Sequence, residues 1–87
     1  MVKRINSMDE LMEFFSKVPD EATYMEVYIE MPDLPELEVI RNPIANMCKK
    51  LDYYKKAYNN NLTLKTFDKI KIVGVDYCFS MFKNIGI

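Results

Sequence analysis

The stretch that decides the fold lies at residues 70–79 and reads IKIVGVDYCF. Apolar residues fall on both sides of an extended chain here, which predicts a central strand or one covered on both faces. Gly74 in its middle indicates a β-bulge or a close approach of another backbone. Asp76 is an acid in an apolar strand. It is either a functional group or a structural acid, lying at an edge or bonded to a nearby amide or lysine.

Two further strands are predicted upstream, where apolar and polar residues alternate at residues 23–31. Met25, Val27 and Ile29 fall on one side, and tyrosines alternate with glutamates on the other, as in a strand with one buried face. Prolines then interrupt the chain, and residues 37–40 form a second strand. The pair is expected to be an antiparallel hairpin. Residues 62–66 are either another short strand or an extended arm.

Two helices are predicted from their capping signals and their apolar spacing. Ser7 and Glu10 form a capping box, with Glu10 expected to reach back to the amide of Ser7, which starts a helix over 8–18. Asn42 as N-cap and Pro43 at the first helical position start a helix over 43–59. A run of asparagines at 59–61 ends it, because Asn tolerates the left-handed conformation.

The order of these elements, α-β-β-α-β, predicts an α+β fold with two helices packed on one face of a three- to four-stranded, mainly antiparallel sheet. The chain has 87 residues, 49% of them hydrophobic. We therefore expect one domain, residues 1–87.

The composition argues against catalysis. The chain has no histidine and only two glycines, so it lacks histidine-based nucleophilic catalysis, histidine metal ligands and glycine-rich phosphate loops. Cys48 and Cys78 are far apart and belong to no metal-binding or redox motif. Cys48 falls on the apolar stripe of the second helix, which predicts a buried, inert thiol. We expect no enzyme activity, no cofactor and no metal site.

No signal peptide is visible, and no apolar run approaches the ~18 residues that span a membrane. A cytoplasmic protein with two reduced, buried thiols is the expectation, with a disulfide between them as the alternative.

The net charge of −1 hides an uneven distribution. Residues 1–38 carry ten acidic and three basic side chains, and residues 39–87 carry three acidic and nine basic ones. A one-signed acidic surface with tyrosines steers basic partners. The predicted partner-binding residues lie on the open face of the first strand and just after it: Tyr24, Glu26, Tyr28, Glu30, Asp33, Glu36 and Glu38.

The basic half supports an alternative, a surface for nucleic acid or a nucleotide. Lysines that flank an exposed tyrosine on the second helix suit phosphate contact and base stacking. The predicted anion-binding residues are Lys49, Tyr53, Lys56, Lys65 and Lys71.

Several segments of the C-terminal half form a recurring pattern: Asn42-Pro43, KLDYYKKAY at 50–58, LTLK at 62–65 and IKIVG at 70–74. This pattern resembles that of short uncharacterised proteins encoded by phages and prophages of low-GC Gram-positive bacteria. The resemblance implies no site residues. It implies a context in which small accessory proteins bind and inhibit host proteins, CRISPR and other immune effectors among them, or sequester signalling nucleotides.

The leading hypothesis is therefore a phage-type module that binds a host protein, such as an anti-CRISPR or other anti-defence inhibitor. Homo-oligomerisation is also expected, through the open aromatic face or through the apolar residues at 80–87.

Overall fold

Two helices and five strands form residues 2–79, the part of the chain that the computed structural model describes. The predicted apolar contact surface at 80–87 lies outside it. In chain order the elements are β1 (Lys3–Arg4), α1 (Met8–Ser16), β2 (Tyr24–Glu30), β3 (Glu38–Pro43), a 3₁₀ turn (Ile44–Asn46), α2 (Met47–Ala57), β4 (Thr63–Leu64) and β5 (Phe67–Cys78).

The strands form one antiparallel sheet in the order β1-β5-β2-β3, and β4 also pairs with β5. The predicted α+β class and the inner position of β5 are confirmed. Strand β1 was not predicted, because two charged residues, Lys3 and Arg4, carry no alternating apolar signal. Its backbone continues along β5, where the Ile5 amide donates to the Val73 carbonyl at 3.2 Å.

Both helices pack on one face of the sheet. Met25, Val27 and Ile29 of β2 are buried there, and Val75 of β5 pairs with Val27. These side chains belong to one buried hydrophobic cluster. Its other members come from one side of each helix and from neighbouring segments: Ile5, Met8, Leu11, Phe15, Tyr54, Tyr58, Leu62 and Ile72. The opposite face of β2, with its tyrosines and glutamates, is turned away from the helices.

The β-bulge and the close approach predicted at Gly74 both occur. The β2–β5 register shifts between Tyr28, which pairs with Gly74, and Ile29, which pairs with Ile72, so Val73 is the extra residue. A Cβ atom on Gly74 would lie only 2.8 Å from Cγ1 of Val2. The glycine therefore leaves room for the Val2 side chain to cross β5.

Helix α1 begins at the predicted residue but with a different capping contact. The Ser7 hydroxyl accepts from the Glu10 amide at 3.2 Å, as predicted. The Glu10 carboxylate, however, accepts from the Asn6 amide at 2.7 Å rather than from that of Ser7. The helix ends at Ser16, two residues before the predicted end, because Lys17 already departs from helical geometry.

The predicted start of the second helix at Pro43 was wrong. Asn42 and Pro43 belong to β3, where they pair with Met25 and Tyr24, and the Ile44 amide donates to the Thr23 carbonyl at 2.9 Å. Pairing with β2 thus holds Asn42 and Pro43 in a strand, although their local sequence signal favours a helix start. Strand β3 is consequently longer than the predicted 37–40, and α2 begins at Met47 after a 3₁₀ turn.

The left-handed residue that follows α2 is Leu62, with φ of 70°, and not one of the asparagines expected to take this role. Its side chain is fully buried. Its amide donates to the Asn59 carbonyl at 2.9 Å, and the Asn59 amide donates to the Thr63 carbonyl at 2.8 Å, which closes the turn. The burial of the leucine offsets a backbone conformation that is unfavourable for it.

Within residues 2–79, neither helix has the length and hydrophobicity that a membrane crossing requires.

Candidate protein-binding surface

The sheet face turned away from the helices is organised in four rows that run across the strands, and the row nearest the β2–β3 connection pairs Glu30 of β2 with Lys71 of β5. The middle row contains Arg41 of β3, Glu26 of β2 and Asp76 of β5, and each pairs with its neighbour. The flanking rows are Pro43, Tyr24 and Cys78 on one side, and Val39, Tyr28, Gly74 and Arg4 on the other. The strand alternation that placed Tyr24, Glu26, Tyr28 and Glu30 on one open face is therefore confirmed.

Glu26 lies at the centre of this face and is only 5% exposed. Its Oε2 accepts from Nε of Arg41 at 2.9 Å and from Nη2 at 2.6 Å. Its Oε1 accepts from the Tyr28 hydroxyl at 3.1 Å. The prediction that Glu26 offers a free negative charge to a partner was wrong, because neighbouring side chains both cover it and neutralise it.

The surroundings of Arg41 and Tyr28, Glu26 among them, shift the pKa values of these two side chains. The hydrogen bonds to Glu26 raise the pKa of Arg41 above its usual value. Burial raises the pKa of Tyr28, and its hydrogen bond to Glu26 acts in the same direction. Arg41 therefore stays cationic and Tyr28 neutral at physiological pH, which fixes the pattern of donors and acceptors on this face.

Asp76 extends the middle row on the other side of Glu26. Its Oδ1 accepts from the Tyr77 amide at 2.8 Å, so this carboxylate is bonded within the fold. That observation favours the second of the two interpretations of Asp76, a structural acid bonded to a nearby amide. Tyr24 and Tyr28 are half-buried. The centre of the face is thus a preformed, charge-balanced surface and not an acidic one.

The acidic character persists at the end of the β2–β3 hairpin, residues 33–38, which we call the hairpin end. Asp33, Glu36 and Glu38 are all exposed, as predicted for a partner-binding segment. Between them lie Leu34 and Leu37, which are 50% and 41% exposed. From residue 31 to residue 40 the chain contains no lysine or arginine. The hairpin end therefore presents two apolar side chains among three exposed carboxylates.

Two features of this candidate surface were missed from the sequence. Arg41 lay beyond the predicted end of its strand, so its pairing with Glu26 was not foreseen. The exposure of Leu34 and Leu37 was overlooked because Leu34 lies in the proline-bearing connection and Leu37 was assigned to the following strand. Their signal was nevertheless present, since leucines flanked by acids in a turn have no route to a core.

The five residues of the predicted anion-binding surface do not come together. Lys49, Tyr53 and Lys56 are exposed on α2, which packs on the core side of the sheet. Lys71, in contrast, pairs with Glu30 on the side of the sheet that faces away from α2. Lys65 is exposed in the β4–β5 turn, where its amide donates to the Ala57 carbonyl.

On α2 itself, Tyr53 is 50% exposed and the Lys50 ammonium lies 5.5 Å from the centre of its ring. Lys56 pairs with Asp52 at 3.0 Å, which reduces the charge available to an anion. The predicted contact between a lysine and Tyr53 is present, but the lysine is Lys50 and not Lys49 or Lys56.

The cysteines also differ from expectation. Cys48 is exposed on α2 and not buried, because it lies at the margin of the helix face that carries Leu51 and Tyr54. Cys78 is half-buried beside Tyr24, and both thiols are free. Among residues 2–79 no cluster of three acidic or cysteine ligands could hold a metal ion.

A groove of about 350 Å³ lies between α1 and the β1–β5 end of the sheet. Its walls are the rings of Phe14 and Tyr77, whose centres are 5.7 Å apart. The charges at its rim compensate one another, since Lys17 pairs with Glu13 at 3.0 Å. The groove therefore does not favour a ligand of either sign.

Comparison with protein-family models, with curated proteins and with solved structures finds no match to this chain.

Proposed function

We propose that the protein acts by binding another protein and that the hairpin end makes the first contact. The observation that carries this proposal is the pair of exposed leucines, Leu34 and Leu37, held among Asp33, Glu36 and Glu38. Exposed leucines add nothing to the buried cluster, and adjacent apolar side chains rimmed by charge are typical of contact sites.

The charge of the hairpin end defines the kind of partner. Three exposed carboxylates within six residues, with no base among them, favour a basic surface. Leu34 and Leu37 require an apolar pocket on that surface if their burial is to contribute to affinity. The partner is therefore a protein with a basic patch around an apolar groove.

The cluster of Arg41, Glu26 and Tyr28, in the strands that lead to the hairpin end, supports this role by its rigidity. Two hydrogen bonds from Arg41 and one from Tyr28 hold Glu26 in a single position. A preorganised face loses little conformational freedom when a partner covers it. Tyrosine and arginine are also the residue types that contribute most at protein interfaces.

The resemblance to phage and prophage proteins supplies the biological setting of the proposal. In that setting the partner is a host protein, such as a CRISPR or other immune effector, and binding inhibits it. The basic nucleic-acid-binding surface of such an effector matches the charge of the hairpin end. The protein acts in the host cytosol, without catalysis.

The test compares three proteins as affinity baits in a host lysate: the wild type, Leu34→Ser/Leu37→Ser, and the control Phe79→Ser. Phe79 is 49% exposed and follows Cys78, which pairs with Tyr24 at the end of β2 opposite to the hairpin end, so its loss removes apolar area elsewhere. We expect one basic protein to be retained by the wild type and the control but not by the double variant. Equal retention by all three would contradict the proposal.

A second candidate function, nucleic-acid binding by α2, is favoured by the exposed ring of Tyr53 beneath Lys50. Stacking of a base on such a ring contributes about 1–3 kcal/mol. Its test is fluorescence anisotropy with a single-stranded oligonucleotide at low salt. Binding that weakens with salt and with Tyr53→Ala would support it, and no binding would exclude it.

A further inference from the structure

Strand β3 is an outer strand of the sheet, and its free edge carries hydrogen-bonding groups that point outward. The Ile44 amide donates to the Thr23 carbonyl, while the Thr23 amide donates to the Cys78 carbonyl. Pro43 has no amide, so its pair with Tyr24 is a non-hydrogen-bonded pair of the antiparallel ladder. Hydrogen-bonded pairs alternate with such pairs, so Asn42, Ile40 and Glu38 bond to β2. The backbone groups of Val39 and Arg41, between them, therefore face away from the sheet.

Within residues 2–79, nothing pairs with this edge. The ladder of β3 runs to β2 alone, and no other backbone bond reaches the amides of Val39 or Arg41. Exposed edges are normally protected by charged side chains, lysine above all, by proline or by a bulge. Strand β3 contains no lysine, its one proline, Pro43, is its last residue, and its register with β2 is regular. Of its two charged side chains, that of Arg41 is held by Glu26, and the Val39 side chain is 44% exposed.

We propose that two copies of the chain pair through the outer edges of β3, antiparallel about a two-fold axis at Ile40, so that their sheets become continuous. In this register Val39 of each copy faces Arg41 of the other, and the two residues exchange both of their backbone hydrogen bonds. Four such bonds form across the axis. The contact is isologous and closed, so it gives a dimer and not a filament.

The side chains of β3 suit this register and disfavour an axis at Arg41. Residues that face each other across the axis must lie on the same face of the continuous sheet, so the register can change only in steps that keep this parity. With the axis at Ile40, the stem of Arg41 covers the exposed Val39 of the other copy, and Glu38 faces Asn42. Moving the axis to Arg41 places two guanidinium groups opposite each other, which is unfavourable.

The dimer goes beyond the proposed function, although Glu38 of the hairpin end also faces Asn42 of the other copy. The two proposals are separated by their variants, because Val39→Pro lies outside the hairpin end and Leu34→Ser/Leu37→Ser keeps the backbone amides of Val39 and Arg41. Loss of the dimer in the first variant and loss of partner binding in the second are therefore distinct results.

The test is sedimentation equilibrium of the full chain over a wide range of concentration, with Val39→Pro and the control Val39→Thr. Proline removes an outward amide and no bond of the β2–β3 ladder, whereas threonine keeps the amide. We expect a monomer–dimer equilibrium for the wild type and the threonine variant. In the proline variant we expect the dissociation constant to rise at least about tenfold, because two bonds per dimer are lost.

Amide hydrogen exchange supplies an independent measurement on the wild-type protein. The amides of Val39 and Arg41 should exchange fast in dilute solution and slowly in concentrated solution, while those of Ile40 and Asn42 stay protected in both. The proposal would be overturned if the wild-type protein sedimented as a monomer at all concentrations. It would also be overturned if Val39→Pro left the dissociation constant of the dimer unchanged.

Discussion

Arg41 donates two hydrogen bonds to a single carboxylate oxygen of Glu26, from Nε at 2.9 Å and from Nη2 at 2.6 Å. The two residues pair directly across β2 and β3, so the ion pair links the hairpin at its centre. It unites a side chain that is only 7% exposed with one that is 60% exposed. The pair therefore combines a buried acceptor with a donor that a partner can still reach.

The first prediction concerns this pair. Arg41→Gln leaves the Glu26 carboxylate with the Tyr28 hydroxyl as its remaining side-chain partner, and an undersatisfied buried acceptor costs about 1–3 kcal/mol of stability. Urea denaturation should show a lower midpoint for this variant. The matched control is Lys17→Gln, which breaks a fully exposed ion pair with Glu13 and should change the midpoint little. Equal shifts for the two variants would contradict the account of Glu26.

A second prediction concerns Tyr54, which is 1% exposed and whose hydroxyl has no hydrogen-bond partner in the described part of the chain. Tyr54→Phe removes a buried polar group without removing a bond. It should leave the free energy of unfolding unchanged or raise it by up to about 1 kcal/mol. Tyr58, whose buried ring packs against Tyr54 just after α2, gives the comparison variant Tyr58→Phe. A loss of more than about 1 kcal/mol in Tyr54→Phe would indicate a partner for the hydroxyl.

The same residue predicts how stability changes at alkaline pH. Burial raises the pKa of Tyr54 from 10.0 to about 12. Between these values the unfolded chain has released the proton that the native protein retains, so the free energy of unfolding falls as pH rises. The slope from this group is no more than ~1.4 kcal/mol per pH unit. Denaturation at pH 9, 10 and 11 should show the fall, and Tyr54→Phe should make it shallower.

A fourth prediction follows from the left-handed conformation of Leu62. Leu62→Ala should cost about 2–4 kcal/mol because the side chain is fully buried. Leu62→Gly loses the same contacts but relieves the strain of a positive φ, which is about 1 kcal/mol for a residue with a Cβ atom. The glycine variant should therefore be at least as stable as the alanine variant in thermal denaturation. The usual order, with alanine more stable, would show that Leu62 is not left-handed in solution.

How much of this fold the sequence predicts depends on whether each signal is local or comes from pairing with a distant segment. The alternation in residues 23–31 assigned the two faces of β2 correctly, because strand periodicity is local and the sheet buries one side only. The capping signal at Asn42 and Pro43 was equally local, but pairing with Met25 and Tyr24 overrides it. Neither segment alone indicates that the two will pair. Because the predicted strand ended at residue 40, the pairing of Arg41 with Glu26 was also missed.

The candidate site shows the same difference between local signals and the pairing of distant segments. The acidic residues of the hairpin end could be found from charge alone, because they remain exposed in the fold. Glu26 could not be separated from them, since only the β2–β3 register brings Arg41 to it. The lysines predicted to form one surface were grouped by sequence proximity, and the alternation of β5 turns Lys71 away from α2.

The central claim, that the hairpin end meets a basic partner, is tested most directly by titration calorimetry with the protein that the affinity bait retains. Two charge reversals are compared with the wild type: Glu36→Lys/Glu38→Lys at the hairpin end and Lys49→Glu/Lys50→Glu on α2. We predict that the first weakens binding at least about tenfold and reduces its salt dependence, while the second leaves both unchanged. Loss of binding in the α2 variant, with full affinity in the hairpin variant, would contradict the account.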